Sequence, residues 1–195
     1  MDPSPPLWHT EKERWGAYVN FKKTLFPAFI LAIICFTCAV ALAVTHAATK
    51  ERIAKVEYDR YVASAKAVMP EGAVLTALDV PGIDGFVAAN AEGDTIGYVI
   101  RTSAKGYGGD VICVVGFDTD GKILGLSVRA PDETPGLGNN VHGTAFTDQF
   151  LGAEKPPVLS EDVDGVTGAT YSSRAVISAV NEAFEKLTVL RKGEN

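Results

Sequence analysis

The chain has 195 residues, of which 47% are hydrophobic, with a mean hydropathy of +0.11 and a formal net charge of −6 at pH 7. This length fits one domain of ordinary size and an additional segment. Residues 49–195 alone hold 14 basic and 21 acidic residues, a net charge of −7. An acidic balance of this size argues against a nucleic-acid-binding protein and against docking of that part onto anionic lipid.

An apolar stretch near the N-terminus predicts a membrane span. Residues 25–48 contain no Asp, Glu, Lys or Arg, and as a helix they would extend about 36 Å, enough to cross a hydrocarbon core of about 30 Å. A cleavable signal peptide is the alternative, with small residues at Ala41 and Ala43, but its apolar region is usually only about 7–15 residues long. We therefore predict a retained transmembrane helix at residues 25–48, preceded by a short tail at residues 1–24.

The charges beside this span do not decide its orientation. Four basic residues precede the span and five follow it closely. The positive-inside comparison is therefore balanced, and a long C-terminal domain can be translocated largely regardless of its charge.

The three cysteines predict neither a disulfide nor a metal site. Cys35 and Cys38 lie within the apolar span, where small apolar packing explains them more simply than an iron–sulfur cluster, which needs further ligands. Cys113 lies in a run of Val and Ile and is expected to be a buried strand residue. We expect no metal site in the chain.

The rest of the sequence predicts a connecting helix and then an α+β domain. Residues 49–70 carry apolar side chains at helical spacing and end in a Pro-Glu-Gly turn. Five β-like runs follow, separated by hairpin signals: residues 73–78, 85–90, 95–103, 110–117 and 122–130. Two helices are predicted after them, at residues 139–150 and 172–191. Because the strands precede the helices, residues 71–195 are expected to form one domain with a mostly antiparallel sheet rather than a Rossmann-type fold.

The most informative sequence, DGVTGAT at residues 164–170, lies before the last predicted helix. A helix start offers free backbone N–H groups and the positive end of the macrodipole, which together favour a phosphate. Gly168 and Ala169 have almost no side chain, so they leave Thr170 open to the active site of another enzyme. The alternative is an ordinary N-cap before a helix.

Two other loops combine glycines with an apolar or aromatic side chain. In ETPGLG, residues 133–138, Leu137 offers an apolar surface, Thr134 a hydroxyl, and the glycines allow backbone groups to approach closely. A Pro-Gly turn between a strand and a helix is the alternative interpretation. The loop KGYGG at residues 105–109 has one aromatic side chain that could cover a pocket, although a glycine-rich hairpin loop explains it as well.

These three segments resemble, in the same order, the FMN-binding domains of Rnf complexes and of sodium-pumping NADH:quinone reductases, and DGVTGAT resembles their flavinylation motif. With the single membrane span, the resemblance covers nearly the whole chain. The length is more similar to the G subunits of Rnf complexes than to the longer C subunits of the quinone reductases. Thr167 stands where serine is common in the motif, but it keeps the hydroxyl.

The resemblance implies a covalent flavin site. A flavin transferase would join the phosphate of FMN to Thr170 as a phosphoester. The turn around the phosphate would be formed by Thr167, Gly168 and Ala169. The flavin ring would be lined by Glu133, Thr134, Leu137 and Gly138.

The resemblance also implies a role in a larger assembly. The chain would be an electron-transfer subunit of a membrane-bound ferredoxin:NAD⁺ oxidoreductase that couples electron flow to sodium or proton translocation, and not a complete enzyme alone. Its partners would be the other membrane subunits. The N-terminal tail would lie in the cytoplasm and the FMN-binding domain on the extracytoplasmic side of the cell membrane.

Two alternatives remain open. The first is a related flavoprotein: the FMN-bearing subunit of a sodium-pumping NADH:quinone reductase, or an extracytoplasmic flavin reductase. The second is a membrane-anchored binding or scaffold domain without a cofactor.

No catalytic acid–base residue is predicted. His142 has no carboxylate or cysteine partner that the sequence makes evident, and a carrier of electrons needs no such residue.

Overall fold

A long helix, α1 (Phe21–Ala67), begins the part of the chain that the computed structural model describes, residues 21–193. By length and composition this helix is long and apolar enough to cross a membrane, and the predicted span at residues 25–48 lies in its N-terminal part. The predicted span and the predicted connecting helix are therefore continuous, whereas residues 1–20 of the predicted tail lie outside the described residues. The chain divides into two units, residues 1–55 and 56–195, and the second contains the sheet.

Five strands form an antiparallel meander in the order β1-β2-β3-β4-β5. Their bounds are β1 (Val74–Ala77), β2 (Asp84–Ala89), β3 (Thr95–Lys105), β4 (Asp110–Asp118) and β5 (Ile123–Arg129). Each strand pairs with the next because short turns join them, as at Gly93 and Gly121, whose positive φ angles are 94° and 93°. The predicted strands differ from the observed ones by at most two residues at an end, so the predicted antiparallel sheet is confirmed.

Apolar side chains cover both faces of this sheet. One face packs against the last helix, α3 (Thr170–Gly193), whose Val176, Val180 and Leu187 side chains recur at helical spacing and are buried in this core. Cys113 belongs to this core, and burial raises the pKa of its thiol to about 12. The other face packs against the C-terminal part of α1, with a cluster that includes Tyr61, Ala65, Val68, Met69, Phe86, Ala88, Val99 and Val114.

The connection between β5 and α3 differs from the prediction. The sequence predicted one helix at residues 139–150, which is wrong: the structure has a 3₁₀ turn (Gly138–His142), a short helix α2 (Thr144–Thr147) and a second 3₁₀ turn (Asp148–Phe150). Gly143, with φ −70° and ψ 144°, is extended and interrupts the helical backbone. Helix α3 also begins two residues before the predicted start, at Thr170.

Candidate functional site

A cavity of about 300 Å³ opens where the loops after β3 and β5 meet the start of α3. The residues that line it are Tyr107, Glu133, Thr134, Leu137, Gly138, Gly168, Ala169, Thr170, Tyr171 and Ser172. Seven of the eight residues predicted from the sequence are therefore brought together. The eighth, Thr167, lies in the turn beside the cavity and is exposed.

The motif at residues 164–170 folds as a tight turn that leads into α3. The Ala169 N–H donates to the Val166 carbonyl at 2.9 Å, and Gly168 has a φ of +78°. A positive φ at the third position is typical of a type II turn and favours glycine. The helix then begins at Thr170, because the Ser173 N–H donates to the Ala169 carbonyl at 2.8 Å.

The N-terminus of α3 has no side-chain cap at its N-cap position. This position belongs to Ala169, whose buried methyl group cannot accept a hydrogen bond. The N–H groups of residues 170–172 have no acceptor within the helix, since they belong to its first turn. Beside them the Thr170 side chain is exposed. The helix start therefore offers both hydrogen-bond donors and a positive partial charge to an anion.

The loop before this turn is held by side chains of neighbouring elements. The Asp164 N–H donates to Gln149 Oε1 at 2.8 Å, and the Val166 N–H donates to Ser173 Oγ at 3.0 Å. Ser173 is fully buried in the first turn of α3. These bonds fix the path of the chain through the first part of the motif, and the turn that leads to Thr170 follows directly.

The segment of residues 133–138 forms a second tight turn on the opposite wall. The Leu137 N–H donates to the Thr134 carbonyl at 3.2 Å, and Gly136 has a φ of +76°. Leu137 is 49% exposed, and a Cβ built on Gly168 would lie only 3.2 Å from its Cδ2 atom. Leu137 therefore packs against the motif turn while part of its side chain remains available to a ligand.

Glu133 joins the three segments that surround the cavity. Its Oε1 accepts hydrogen bonds from the N–H groups of Tyr107 at 2.6 Å and Gly108 at 3.2 Å. Its Oε2 accepts the hydroxyl of Ser172 at 2.8 Å. The fit is so close that a Cβ at Gly138 would collide with this carboxylate. That Glu133 lines the flavin ring stays a prediction; in the folded chain it lines the cavity, and both of its carboxylate oxygens are bonded to neighbouring segments.

Two tyrosines at the rim complete the cavity. Tyr107 and Tyr171 are 75% and 66% exposed, and their ring centroids are 6.1 Å apart. Sequence reasoning noted Tyr107 but missed Tyr171 and Ser172 as lining residues. The available signal was their position, because both residues follow Thr170 in the sequence. The helix was predicted to begin only at residue 172, so its actual first turn was not considered as part of the cavity.

His142 lies outside the cavity lining and is exposed, with its Nδ1 atom beside the Asn139 carbonyl. Among residues 21–193, no group of three or more His, Cys, Asp or Glu side chains is arranged to hold a metal ion.

Similarity to known proteins covers the same region. The family model of the FMN-binding domain matches residues 106–185, which include every residue that lines the cavity. A G subunit of the proton-translocating ferredoxin:NAD⁺ oxidoreductase complex of Clostridium ljungdahlii is 35% identical over 122 residues, 59% of this chain and 66% of that subunit. A G subunit of the Na⁺-translocating ferredoxin:NAD⁺ oxidoreductase complex of Acetobacterium woodii is 26% identical over 200 residues, 89% of this chain and 96% of that subunit. The crystal structure of Shewanella oneidensis NqrC is 23% identical, with a TM-score of 0.46 over 60% of this chain and 65% of that chain.

Proposed function

Because this chain belongs to the FMN-binding-domain family, among the G subunits of Rnf-type complexes, we propose that it carries FMN and passes electrons between other subunits of an ion-translocating ferredoxin:NAD⁺ oxidoreductase. The observation that carries this proposal is the exposed hydroxyl of Thr170 at the uncapped start of α3, on the rim of a cavity with apolar and aromatic walls. No second function is favoured by a specific feature of the described residues.

The residues present fit both ends of FMN. The free N–H groups of residues 170–172 suit a phosphate, because a helix N-terminus binds anions through its donors and its dipole. Leu137, Tyr107 and Tyr171 offer exposed apolar and aromatic surface to a planar ring. A volume of about 300 Å³ is at the lower end for small-molecule sites, and the exposed rim leaves part of a ring in contact with solvent or a partner. The bound FMN would supply reversible electron transfer.

Thr170 is the proposed point of covalent attachment. Its hydroxyl oxygen would form the bond to the flavin phosphorus within a flavin transferase, with loss of the hydroxyl proton and of the group that activates the phosphate. Gly168 and the buried methyl of Ala169 leave the hydroxyl accessible to a second active site. The tether makes binding intramolecular, so the flavin remains with the domain even when little free FMN is present.

The test of this proposal uses the full chain produced with and without a flavin transferase. Intact mass, absorbance and in-gel fluorescence after denaturation should show one covalent FMN on the wild type only when the transferase is present. Thr170→Ala should lose the label completely, and Thr170→Ser should keep part of it because it retains a hydroxyl. Thr167→Ala is the matched control, since it removes the neighbouring exposed threonine of the same turn.

Two results would contradict the assignment. A bright Thr170→Ala band together with a dark Thr167→Ala band would move the attachment to another hydroxyl. A wild-type chain that stays colourless beside an active transferase would favour the binding or scaffold domain without a cofactor.

The proposed topology has the N-terminal tail in the cytoplasm and the FMN-binding domain outside it. It rests on the family, because the charges beside the span are balanced. Asp120→Cys introduces an exposed thiol in the turn between β4 and β5. A membrane-impermeant thiol reagent should label this variant in intact cells, with the wild type as the control for Cys35, Cys38 and the buried Cys113. Labelling only after lysis would reverse the orientation.

A further inference from the structure

Glu133 is a buried charged residue without a cation beside it. It is 4% exposed. Its bonds come from two backbone N–H groups and from one hydroxyl, that of Ser172. Among the described residues that line the cavity none is Lys, Arg or His, and Glu133 itself takes part in no ion pair in that part of the chain. Its charge is therefore stabilised by hydrogen bonds and not neutralised.

The hydrogen-bond pattern fits the ionised form of the side chain. Two partners of Glu133 are backbone N–H groups, which can only donate, and the Ser172 hydroxyl can donate as well, so a carboxylate, which only accepts, satisfies all three bonds. Burial of such a group is unfavourable unless it is bonded, and bonds to a charged acceptor are stronger than neutral ones. Its contact with Ser172 also places it at the positive end of α3. The same helix start would hold the FMN phosphate, so two anions would share it.

We propose that the negative charge of Glu133 lowers the midpoint potential of the flavin in this cavity. The inference rests on the proposed function above. Reduction by two electrons with uptake of one proton turns the neutral oxidised ring into a ring with one negative charge, the electrons arriving from the reduced donor of the complex. Like charges repel, and a buried charge is screened less than an exposed one. Glu133 therefore disfavours the reduced form.

A purely structural role predicts a different outcome. If Glu133 served only to hold the loops, any side chain that kept the three bonds would leave the potential unchanged. Glu133→Gln meets this requirement, because its amide oxygen can accept from Tyr107 and Gly108 and its NH₂ group can donate to the Ser172 hydroxyl, which is also an acceptor. This variant removes the charge and preserves the shape.

The experiment is a redox titration of the full chain, purified in detergent after production with a flavin transferase. Glu92→Gln is the matched control, because Glu92 is exposed in the turn before β3 and far from the cavity. Tyr107, which lines the cavity, follows the other end of this strand of 11 residues, and a strand of that length places the two residues about 35 Å apart. Covalent FMN should be equal in the wild type and both variants. At a fixed potential, Glu133→Gln should raise the ratio of reduced to oxidised flavin at least tenfold. For a two-electron couple this corresponds to a rise in the midpoint potential of about 30 mV. Glu92→Gln should match the wild type.

Ser172→Ala provides a second and independent measurement. It removes one hydrogen bond to the carboxylate but keeps the charge, so the potential should stay the same or fall. A rise in potential with Ser172→Ala would overturn the inference even if Glu133→Gln failed to fold. An unchanged potential in a folded, fully flavinylated Glu133→Gln chain would also overturn it. Absence of covalent flavin on the wild type would instead count against the proposed function.

Discussion

Glu57 and Glu133 both join distant segments of the domain, but the first is balanced by cations and the second is not. Glu57 accepts two charge-assisted bonds from Arg129, at 2.8 and 3.0 Å, and lies 3.7 Å from Arg60; its side chain is 37% exposed. Glu133 is almost completely buried and is bonded by two N–H groups and one hydroxyl. An exposed ion pair attaches two elements while its field is cancelled locally. A buried carboxylate without a cation also joins elements, but its negative charge is not cancelled and repels negative charge on a ligand in the cavity.

The surroundings of the two glutamates repeat this difference. Near Glu57, Arg101 lies 5.0 Å from the centre of the Tyr61 ring and 3.4 Å from Asp84. Burial, with a further contribution from the Asp84 carboxylate, raises the pKa of Tyr61 above its usual value. Each charge in this cluster lies near an opposite charge. The cavity at α3 instead has free N–H groups and an exposed hydroxyl at Thr170, which is the arrangement expected of a binding site.

The largest expected difference between the two glutamates concerns stability. Glu133→Ala leaves three donors without their acceptor, and each such loss costs about 1–3 kcal/mol when the donor is buried. We expect the free energy of unfolding to fall by about 3 kcal/mol or more. Glu57→Ala should lower it by at most about 1 kcal/mol, because partly exposed ion pairs contribute little. Pulse proteolysis of the full chain across a urea series, in detergent, would compare the two variants. Equal losses would show that burial does not distinguish these glutamates.

The positions of the elements followed closely from local sequence. The turns at Gly93 and Gly121 separate runs of strand-forming residues, and the stripe of α3 recurs at helical spacing, so neighbouring residues carried enough information. The single helix predicted at residues 139–150 is wrong because the backbone of Gly143 is extended and interrupts it. The start of α3 was predicted late because Ser172 resembles an N-cap residue, whereas the structure has Ala169 in that position.

The sequence predicted most residues of the site, but not the contacts between them. Three loops were selected from the sequence, and they meet at one cavity. The bond between Glu133 and Ser172 joins residues 39 positions apart, and it depends on how two loops and a helix pack together. No spacing rule encodes such a contact. For the same reason, the pairing of Tyr107 with Tyr171 became visible only in the folded chain.

A charge of opposite sign introduced on the same loop should sharpen the comparison from the other direction. Leu137 is half exposed and lines the cavity, so Leu137→Lys would place a cation near the reduced, anionic flavin. The reduced form should be stabilised by about 1 kcal/mol, since solvent screens part of the attraction, and the midpoint potential should rise. Flavin attachment at Thr170 should remain near the wild-type level. Val74→Lys is the control, because it adds the same charge to the exposed side of edge strand β1, away from the cavity lining.

The Leu137 prediction also tests whether the loop at residues 133–138 contacts the ring. An unchanged potential in a folded and fully flavinylated Leu137→Lys chain would remove this loop from the flavin site. An equal rise with Val74→Lys would attribute the effect to net charge and not to position.

The smallest expected effect concerns the acid response of the Glu57 pair. The hydrogen bond and charge of Arg129 hold the pKa of Glu57 below its ordinary value of 4.5. A carboxyl group with a lowered pKa in the folded state contributes stability above its unfolded pKa and loses it as the pH falls through the folded pKa. The stability difference between wild type and Glu57→Gln should therefore be constant near neutral pH, at no more than about 1 kcal/mol, and should vanish in acid. Urea unfolding between neutral pH and pH 3 measures it. In an Arg129→Gln background, the stability difference between the chain with Glu57 and its Glu57→Gln variant should be small at every pH, because the cation that lowers the pKa of Glu57 is gone. A stability difference that persists in this background would be caused by packing of the Glu57 side chain and not by its charge.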